Sequence, residues 1–484
     1  MCVRTLGKGM TAGSLTAVED VPAGHKIALR ALPAGSPVRK YGATIGVATA
    51  NIPAGAHVHV HNLRSHLDEA SDPPSRCGTP TAWHAETAAP LSSLSFMGYR
   101  RQDGRVATRN EIWIVPTVAC VNRVAEQLAA AGREQWAGEL DGIVALPHPV
   151  GCSQLGDDLA YTQSVLAGLI GHPNAAGVLL IGLGCESNRI EDLLRLAARH
   201  APESLWAFAA QEVPDELDTG MAHLADLVRQ ARHHRRVPIP ASELVVGTKC
   251  GGSDGFSGIT ANPLVGRVTE RLAREGATIL LSEVPEMFGA EEALVERAVD
   301  EAVADSVLHL TQAFRDDLRR HGHPIDQNPS PGNRAGGITT LAEKSLGCVQ
   351  KCGRVPIAGV LTYGSPAPPR LGGVALVEAP GNDGVSGTAL AAAGAHLVLF
   401  TTGRGTPLGF PVPTLKIAAT SDLALRKPAW IDFDAGPLLE GEDAERLADD
   451  LLKLTLDVAG GVTCSQNERH GFREIAVWKR GVTL

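Results

Sequence analysis

Short apolar runs that end in polar residues recur along this chain and alternate with helical patterns. Three of them lie between residues 111 and 188 and read EIWIVPTVACVN, DGIVALPHPVGCSQ and AGVLLIGLGCESN. Helical patterns such as VNRVAEQLAAAG and DDLAYTQSVLAGLIG separate them. Strands that alternate with helices form parallel sheets. The pattern predicts an α/β protein with polar residues at the carboxyl edge of the strands, where open α/β sheets bind ligands. That edge would carry Cys120, His148, Cys152, Cys185 and Glu186, although a single free cysteine is more commonly a small core residue.

A second series of candidate strands follows residue 244. These strands read ELVVGTKC, ATILLSEVPE, IAGVLTYG, GVALVEAPGND, HLVLFTTGRG and PTLKIAATS, and helices separate several of them, including NPLVGRVTERLAREG and an acidic one from Glu291 to Arg320. A parallel sheet of about six strands would form a rim suited to a small acid. The strand ends would deliver to this rim Cys250, Glu283, Glu286, Asn382, Asp383 and Arg404.

The stretch 244–263, LVVGTKCGGSDGFSGITANP, combines a strand, a glycine-rich loop and a helix start. Its glycines would allow positive φ and close approach of the backbone, so that N–H groups converge on an anion. Cys250, Ser253 and Asp254 would line the same loop.

The first sixty residues differ from the rest. Residues 17–63 alternate short Val/Ile runs with turns, which predicts a small all-β module. His57, His59 and His61 lie two apart and would share one strand face, either as ligands for a metal or an anionic substrate or as a polar solvent face. Residues 65–94, rich in Pro, Ser, Ala and Thr, read as a linker, and the basic stretch 231–243 reads as a second boundary.

Composition excludes several classes of function. A chain of 484 residues is expected to form two or three domains. The net charge of -9 and an aromatic content of 4% argue against nucleic acid as a partner. Neither a signal sequence nor a long apolar run is present, so we expect a cytoplasmic protein without membrane contact. No dinucleotide fingerprint or P-loop occurs. The nine dispersed cysteines predict reduced thiols, with no disulfide between Cys348 and Cys352.

The predicted rim combines thiols, imidazoles and carboxylates with Lys344, Lys416 and Arg404. Such donors suit Fe(II), Mn(II) or Zn, and the cations suit a carboxylate or phosphate. This inventory fits metal-assisted removal of a proton next to a carboxylate. The spacing leaves open which residue is the base and which the acid.

Long motifs give the chain a specific resemblance. They read VRKYGATIGVA, GAHVHVHNLR, TRNEIWIVPTVACVN, GCSQLGDD, HPNAAGVLLIGLGCE, CGGSDGFSGITANP, SEVPEMFGAE, NPSPGNRAGGITTLAEKSLGCVQK, APGND, TGRGTP, WIDFDAG and REIAVWKRGVTL. With these motifs the chain resembles the altronate/galactarate dehydratase family, most closely its altronate dehydratase branch, from about residue 38 to 484.

The resemblance implies a hydro-lyase that removes water from a sugar acid with the help of Fe(II) or Mn(II). In the altronate branch the substrate is D-altronate and the product 2-dehydro-3-deoxy-D-gluconate. The alternatives are a galactarate dehydratase, a sulfolactate sulfo-lyase, or a sugar-acid sensor without catalysis. The implied architecture is a β-clip (SAF-like) domain over 1–66, a linker over 67–95, a middle α/β domain over 96–236 that forms a homodimer, and a C-terminal Rossmann-like parallel sheet over 237–484.

Roles for individual residues follow from the resemblance together with the predicted rim. Glu283 or Glu286 would be the base, and Lys344 and Asp254 would complete the catalytic group. The residues assigned to the substrate are Ser253, Asn382, Asp383, Arg404 and Lys416. The residues assigned to the metal are Cys250, Cys185, Cys152, His59 and His61. Lys249 receives no role, because related sequences can carry an acidic residue there, and Cys464 lies in a tail whose spacing departs from the family pattern.

Overall fold

A computed structural model describes residues 1–67, 94–198, 200, 202 and 204–484. The linker expected over 67–95 lies outside the described residues, apart from residues 67, 94 and 95. Among the described residues, the chain is a mixed α/β protein with small antiparallel sheets at its N-terminus and two parallel sheets after them.

The N-terminal module (residues 1–67) consists of short strands, as its turns predict. The strands are β1 (Thr11–Ala12), β2 (Leu15–Thr16), β3 (Lys26–Ile27), β4 (Pro37–Lys40), β5 (Ala43–Ala48), β6 (His57–Val58) and β7 (Leu63–Arg64). They pair antiparallel as β1 with β2, β3 with β6, and β4 with β5 and β7. Ile45, Ile52 and Val58 are buried in its small core.

The next part of the chain forms a four-stranded parallel sheet covered by helices. Its elements are β8 (Ser95–Arg100), β9 (Val106–Ala107), β10 (Glu111–Pro116), α1 (Asn122–Gln135), β11 (Gly142–Ala145), α2 (Gly156–Ile170), β12 (Ala175–Gly182), α3 (Ile190–Ala197), β13 (Ser204–Ala209), α4 (Glu216–Ala231) and β14 (Val237–Pro240). The parallel strands lie in the order β11, β10, β12, β13, while β14, β8 and β9 form a separate antiparallel sheet. Three of the four parallel strands are those that the sequence predicts.

The rest of the chain forms a seven-stranded parallel sheet. Its elements are β15 (Val245–Cys250), α5 (Ala261–Arg274), β16 (Thr278–Leu281), α6 (Glu291–Val295), α7 (Glu301–Arg320), α8 (Pro331–Ala335), α9 (Leu341–Cys348), β17 (Ile357–Leu361), β18 (Val374–Val377), α10 (Asp383–Ala392), β19 (Leu397–Thr402), β20 (Thr414–Ala418), α11 (Ser421–Arg426), β21 (Phe433–Asp434), α12 (Ala444–Ala459) and α13 (Gln466–His470). The strand order is β17, β18, β16, β15, β19, β20, β21.

This sheet contains the six predicted strands and adds β21. The acidic helix predicted from Glu291 to Arg320 is instead two helices, α6 and α7. Asp300 caps the second of them, since its side chain accepts a hydrogen bond from the backbone N–H of Val303. An N-cap of this kind starts a new helix and explains the break.

The strand order of the seven-stranded sheet reverses at β15. From β15 the chain passes to β16 on one side, and β19 later pairs on the other side. The carboxyl end of a strand at such a reversal is where doubly wound sheets bind ligands, because the following connections leave in opposite directions. Cys250 is the last residue of β15 and therefore lies at this point.

The N-terminal module packs on α9 at the same edge of the seven-stranded sheet. Thr340 donates a hydrogen bond to the carbonyl of Ile45 at 2.5 Å. Lys26 and Lys40 each place Nζ 2.8 Å from a carboxylate oxygen of Glu343, which is buried. Burial alone would raise the pKa of Glu343, but the two ammonium groups outweigh burial and lower this pKa to about 2. The module is thus attached by an ion pair shielded from water.

Among the described residues, no helix combines the length and the apolar composition that crossing a membrane requires.

Candidate active site

Consecutive strand ends of the seven-stranded sheet place their polar residues together. Cys250 ends β15, and Glu283 follows β16 by two residues. Glu283 has a φ of 73°, which is left-handed and unusual for a residue with a side chain. Such backbone strain costs on the order of 1–3 kcal/mol and concentrates at functional sites. It turns the Glu283 side chain toward β15, where the carboxylate accepts a hydrogen bond from the backbone N–H of Cys250 at 3.2 Å.

Thiols and carboxyls form a buried cluster at this edge. The sulfur of Cys250 lies 3.4 Å from Oε2 of Glu286 and 3.6 Å from the sulfur of Cys348. One ligand atom each from Cys250, Glu283, Glu286 and Cys348 can be chosen so that all four lie within 4.8 Å of one another. These four residues are called the thiol–carboxyl cluster below.

Three lysines surround the thiol–carboxyl cluster and neutralise it. Lys249 is fully buried, contacts Glu283 and lies 2.6 Å from Oδ1 of Asp383. Lys351 donates to the sulfur of Cys348 at 2.8 Å. Lys344 lies 2.7 Å from Oε1 of Glu286. Since buried charges persist only when they are paired, the lysines keep the acidic groups in this site.

The surroundings separate the proton affinities of the two glutamates. Burial raises the pKa of Glu283 to about 8, with a further contribution from the negative charge of Cys250, and prevails over the opposite effect of Lys249. Burial would also raise the pKa of Glu286, but Lys344 and Lys249 outweigh it and lower the pKa to about 2. Two carboxyls whose pKa values are pushed apart are typical of acid–base sites.

The thiol of Cys250 is activated in the same way. The hydrogen bond with Cys348 lowers the pKa of Cys250 to about 6, and the ammonium group of Lys351 acts in the same direction against burial. The pKa of Cys348 moves the opposite way, well above its usual value, because it carries the shared proton next to a thiolate. Cys250 is therefore the thiolate of the pair at neutral pH.

A small cavity opens above this cluster, between the N-terminal module and the seven-stranded sheet. Its volume is about 10 Å³, which is room for about one water molecule. The lining residues are Lys40, Tyr41, Cys250, Ser253, Asp254, Ser257, Gly258, Asn262, Ile338, Glu343, Lys344 and Gly347. Cys250 and Lys344 reach the cavity, whereas Glu283 and Glu286 lie behind them.

The glycine-rich loop serves mainly for close approach. Of its four glycines only Gly252 has a positive φ, at 57°. A Cβ on Gly258 would collide with the hydroxyl of Tyr41, and one on Gly255 would collide with the carbonyl of Gly24. These glycines therefore let the N-terminal module close over the loop.

Asp254 and Ser253 shape the wall of the cavity. Oδ1 of Asp254 accepts hydrogen bonds from the backbone N–H groups of Phe256 and Ser257 at 3.1 and 2.9 Å. Burial raises the pKa of Asp254 against these bonds. The hydroxyl of Ser253 is buried without a hydrogen-bond partner among the described residues, as expected for a group that a ligand satisfies.

Three histidines of the N-terminal module form a second group of possible metal ligands. Ring nitrogens of His25, His57 and His59 lie within 4.8 Å of one another, and Nδ1 of His25 is 2.9 Å from Nε2 of His57. Nδ1 of His59 is buried and has no partner in the described part of the chain. Burial and the neighbouring histidines lower the pKa values of His57 and His59 to about 4. Neutral imidazoles with a free nitrogen are the state in which histidine binds a metal.

The histidine group suits a divalent cation better than the thiol–carboxyl cluster does. Three ammonium groups already contact the acidic atoms of the cluster. The three imidazoles, in contrast, are uncharged and leave a nitrogen unsatisfied. Imidazole is a common ligand of iron. Among the described residues, His25, His57 and His59 are thus the group whose chemistry fits a metal better, and Nε2 of His25 lies 3.3 Å from the carbonyl of Ala335.

The structure brings together only part of the predicted site. Cys250, Glu283, Glu286 and Lys344 meet, and Ser253 and Asp254 line the adjoining cavity. Asp383 joins them through Lys249. His59 belongs to the histidine group, whereas His61 does not, although its ring centroid lies 5.4 Å from that of His57.

The other predicted residues do not belong to the thiol–carboxyl cluster. Asn382 caps α10, Arg404 donates to the carbonyl of Gly332 at 2.7 Å, and the buried Lys416 donates to the carbonyl of Pro407 at 3.3 Å. Cys152 and Cys185 are exposed on loops of the four-stranded sheet. Neither of them belongs to the two groups of close ligand atoms among the described residues.

Several residues of the site are absent from the sequence-based assignment, namely His25, Tyr41, Lys249, Cys348 and Lys351. Cys348 and Cys352 are both free thiols. Cys348 instead faces Cys250 across about a hundred residues of sequence. A contact of this kind has no local signal, and only the proximity of Lys351 to Cys348 in the run GCVQK hints at it.

Three family models match the chain in succession. The Altronate/galactarate dehydratase SAF domain matches residues 2–66. The D-galactarate dehydratase/Altronate hydrolase second domain matches residues 98–232. The D-galactarate/Altronate dehydratase C-terminal model matches residues 241–483. The residues that line the cavity fall within the first and the third of these matched ranges.

Curated proteins of known activity are similar over nearly their whole length. Altronate dehydratase of Escherichia coli (strain K12) is 45% identical over 477 residues, which cover 97% of this chain and 94% of that protein. Altronate dehydratase of Bacillus subtilis (strain 168) is 43% identical, with 97% and 94% covered. Galactarate dehydratase (L-threo-forming) of Escherichia coli (strain K12) is 34% identical, with 97% and 93% covered.

Proposed function

The chain belongs to the altronate/galactarate dehydratase family and is a sugar-acid hydro-lyase, and from this premise we propose that its substrate is D-altronate. The higher identity to altronate dehydratases than to a galactarate dehydratase, 45% and 43% against 34%, supports this choice. The product is 2-dehydro-3-deoxy-D-gluconate, formed when an enol tautomerises to the ketone. The observation that carries the mechanism is the meeting of Cys250, Lys344 and Asp254 at one cavity on the switch point of the sheet, a cavity that must widen to admit a sugar acid.

Lys344 binds the substrate carboxylate. Its ammonium group reaches the cavity while Glu286 and two asparagine side chains, Asn328 and Asn333, hold it in place. A positive charge at the carboxylate stabilises the negative charge that develops when the adjacent proton leaves. Lys344 therefore contributes to substrate binding, and it stabilises the transition state more than the bound substrate.

The pair of Cys250 and Glu286 acts as the base. The thiolate of Cys250 faces the cavity, and Glu286 lies 3.4 Å behind it. The thiolate takes the proton from C2 of the substrate, and the carboxylate behind it stabilises the resulting thiol by accepting its hydrogen bond. A base with a pKa of about 6 is suited to operation near neutral pH. Glu283 and Lys249 position the backbone of Cys250.

Asp254 donates the proton to the departing C3 hydroxyl. Asp254 lines the cavity, and burial raises the pKa of its carboxyl, which is the direction that suits a general acid. The hydroxyl that leaves C3 takes this proton and departs as water, while the electron pair of the broken C2–H bond forms the double bond of the enol. The elimination of water therefore balances in protons and electrons, and it requires no redox partner.

We infer that Fe(II) or Mn(II) is held by His25, His57 and His59. The three neutral imidazoles and the unsatisfied Nδ1 of His59 support this assignment. A bound divalent ion supplies a Lewis acid for oxygen atoms of the substrate.

A homodimer through the four-stranded sheet is part of the proposal. The edge strand β13 carries Trp206, which is 39% exposed, and α3 carries Leu196, which is 53% exposed. Exposed apolar side chains of this size on one unit support an interaction surface. The three-domain division at residues 66, 96 and 236 is proposed with it, supported by the ranges of the three family models.

The substrate assignment is tested by direct comparison of acids. Purified protein, kept reduced, is mixed with D-altronate, galactarate or sulfolactate, with and without Fe(II), and the formation of 2-keto acid is followed. We expect the highest kcat/KM with D-altronate. A higher kcat/KM with galactarate would overturn the assignment of D-altronate as the substrate. Absence of product from all three acids would overturn the mechanism. Equal turnover after exhaustive chelation would remove the metal from the proposal.

A further inference from the structure

A second and much larger cavity lies where the four-stranded and the seven-stranded sheets meet, and it is called the junction cavity below. Its volume is about 870 Å³, within the range of about 300–1,000 Å³ that small-molecule sites occupy. Its lining includes His172 and Pro173, which precede β12, and Val245, which opens β15. The cavity therefore lies at the amino edge of these strands.

The junction cavity is separate from the proposed active site. Cys250 ends β15, whereas Val245 begins it. Steps of about 3.3 Å per residue along the strand place the two residues about 17 Å apart. The two cavities have no lining residue in common. A ligand of the junction cavity would thus bind without contact with the reacting groups.

Small apolar residues form much of the wall of the junction cavity. Ala160 and Ala167 come from α2, Ala393 follows α10, and Ala367 and Pro369 belong to the loop after β17. Side chains of this size are too short to fill the space between the two sheets. The wall therefore suits the apolar body of a ligand.

Hydrogen bonds hold the loop after β17 in place at this wall. The hydroxyl of Ser164, on α2, donates to the carbonyl of Tyr363 at 2.9 Å. The N–H of Ala367 donates to the carbonyl of Ala393 at 2.9 Å. The loop is thus tied to both helices that form the wall, and the cavity is formed in advance of any ligand, as most small-molecule sites are.

Two arginines converge on one carboxylate at the cavity. Nη2 of Arg100 and Nη2 of Arg370 each lie 2.8 Å from the same oxygen, Oε1 of Glu243. All three residues line the cavity. A guanidinium carries five N–H donors, so a single carboxylate oxygen cannot occupy the donors of two arginines. The side chains of Arg100 and Arg370 are 43% and 61% exposed, which leaves them accessible to a ligand.

The charges of the lining do not balance. Among the described residues that line the junction cavity, three guanidiniums, those of Arg100, Arg105 and Arg370, face two carboxylates, those of Asp103 and Glu243. Arg105 pairs with Asp103 at 2.5 Å. Arg100 and Arg370 therefore share Glu243 and retain one positive charge between them, which an anion would neutralise.

Arg370 has an unusual backbone conformation. Its φ of 55° is left-handed, which is uncommon for a residue with a long side chain. Such conformations persist only where the surrounding structure determines them, and they concentrate at active sites and ligand clamps. The strained position of Arg370 thus coincides with the place where positive charge is in excess.

We propose that the junction cavity binds a small amphiphilic anion, an organic molecule that carries one carboxylate or phosphate group on an apolar body. Arg100 and Arg370 bind the anionic group, because the planar fork of a guanidinium matches two oxygens of such a group. The alanines and prolines surround the apolar body. A sugar acid does not fit, since these walls would leave its hydroxyls without hydrogen-bond partners. The site goes beyond the proposed function and does not rest on it.

The test compares two fluorescent probes that differ only in charge. One is 8-anilinonaphthalene-1-sulfonate, an amphiphilic anion, and the other is N-phenyl-1-naphthylamine, which has the same rings without the sulfonate. Each is titrated into the full chain. We expect one anionic probe per chain, bound at least about tenfold more tightly than the neutral probe, because a charged partner for arginine strengthens its hydrogen bonds. Equal affinity for the two probes would overturn the proposal.

Two variants separate the contribution of charge from that of shape. Arg370→Asn removes the charge but tolerates the left-handed backbone, so it should abolish the preference for the anionic probe and leave the affinity for the neutral probe unchanged. Ala160→Trp fills the cavity from an exposed position of α2 and should weaken both probes by at least about tenfold. Arg123→Asn is the matched control, because Arg123 is an exposed arginine outside the cavity and should bind as the wild type does. An unchanged preference in Arg370→Asn, or unchanged binding in Ala160→Trp, would contradict the site.

Two further measurements use only the wild-type chain. Hydrogen exchange should show that the anionic probe protects peptides around residues 160–168 and 364–371. Competition with 2-naphthoate and with 2-naphthyl phosphate distinguishes the two anionic groups, and the compound that displaces the probe at the lower concentration identifies the preferred one. Protection confined to other parts of the chain, or displacement by neither compound, would overturn the proposal.

Discussion

The thiol of Cys250 lies between a carboxylate and a second thiol, and this position decides its chemistry. Free cysteine is a weak acid, but here the hydrogen bond with Cys348 and the charge of Lys351 lower the pKa of Cys250 to about 6. The sequence predicts this residue as a metal ligand. Its contacts with Glu286 and Cys348, and its place at the cavity wall, favour a role in proton transfer.

Cys250→Ser is expected to lower kcat by about 10²–10⁴-fold, the usual contribution of a general base. Serine keeps the size of the side chain, but its hydroxyl does not ionise near neutral pH. Iron content, measured after gel filtration, should be unchanged, because the proposed metal ligands are histidines of another module. The matched control is Cys464→Ser, an exposed cysteine away from the cavity. Loss of iron in the Cys250 variant would instead indicate that Cys250 is a metal ligand.

Glu283→Gln is expected to lower turnover more than affinity. The glutamine keeps the bond from the N–H of Cys250 but no longer balances the buried ammonium of Lys249. We expect kcat to fall by at least about tenfold, equivalent to about 1.4 kcal/mol in the barrier, with KM changed less. Steady-state kinetics with D-altronate measures both. An unchanged kcat would exclude Glu283 from positioning the base.

At the scale of secondary structure, the sequence predicts where the strands end. It does not predict which residues of different strands and helices contact one another. The alternation of apolar runs and helical patterns predicts the strands that end near Cys250, Glu283 and Asp383, because each run has a local signal. The contacts of Lys249 with Glu283 and Asp383, and of Cys348 with Cys250, depend on strand order. Strand order is a long-range property that a single sequence does not encode locally.

The histidines of the N-terminal module were likewise predicted only in part. The sequence predicts that His57, His59 and His61 share one strand face. In the structure β6 ends at Val58, so the chain turns after it and His61 falls outside the ligand group. His25 takes its place from the position just before β3, the antiparallel partner of β6, in which Ile27 pairs with His57. Pairing of short strands brings together residues that are 32 positions apart.

His59→Gln should weaken binding of Mn²⁺ by more than about tenfold, since loss of even an outer partner of a metal ligand costs that much. The affinity is measured by the electron paramagnetic resonance of free Mn²⁺ in a titration of the apoprotein. His61→Gln is the matched control, because it removes a histidine of the same loop that lies outside the ligand group. Equal weakening in both variants would contradict the assignment of the metal to His25, His57 and His59.

At the scale of the whole molecule, buried histidines join the four-stranded sheet to the seven-stranded sheet. His172 follows α2, and its Nε2 lies 3.0 Å from the carbonyl of Ala395. His396 precedes β19, and its Nδ1 accepts the N–H of Val245 at 3.1 Å. The carbonyl of His396 in turn accepts from Thr108 at 3.0 Å. The junction between the sheets therefore depends on neutral imidazoles.

Acid is expected to loosen this junction before it unfolds either sheet. Burial lowers the pKa of His172 to about 3 and that of His396 to about 4, from an unfolded value of 6.5. Between pH 6.5 and about 4 the unfolded chain binds protons that the folded protein does not, so stability is highest above this window and falls as the pH decreases through it. The slope is at most about 1.4 kcal/mol per pH unit for each histidine.

His396→Gln should therefore flatten the dependence of stability on pH between 6.5 and 4, because glutamine has no charge to gain in the unfolded chain and its amide oxygen can accept the N–H of Val245. The measurement is hydrogen exchange of the peptides around residues 172–178 and 396–402, compared at pH 7 and pH 5 after correction for the intrinsic exchange rate. His223→Gln is the control, since His223 stacks on Trp206 away from the junction. Equal acid sensitivity in the His396 variant and the wild type would show that protonation elsewhere opens the two sheets.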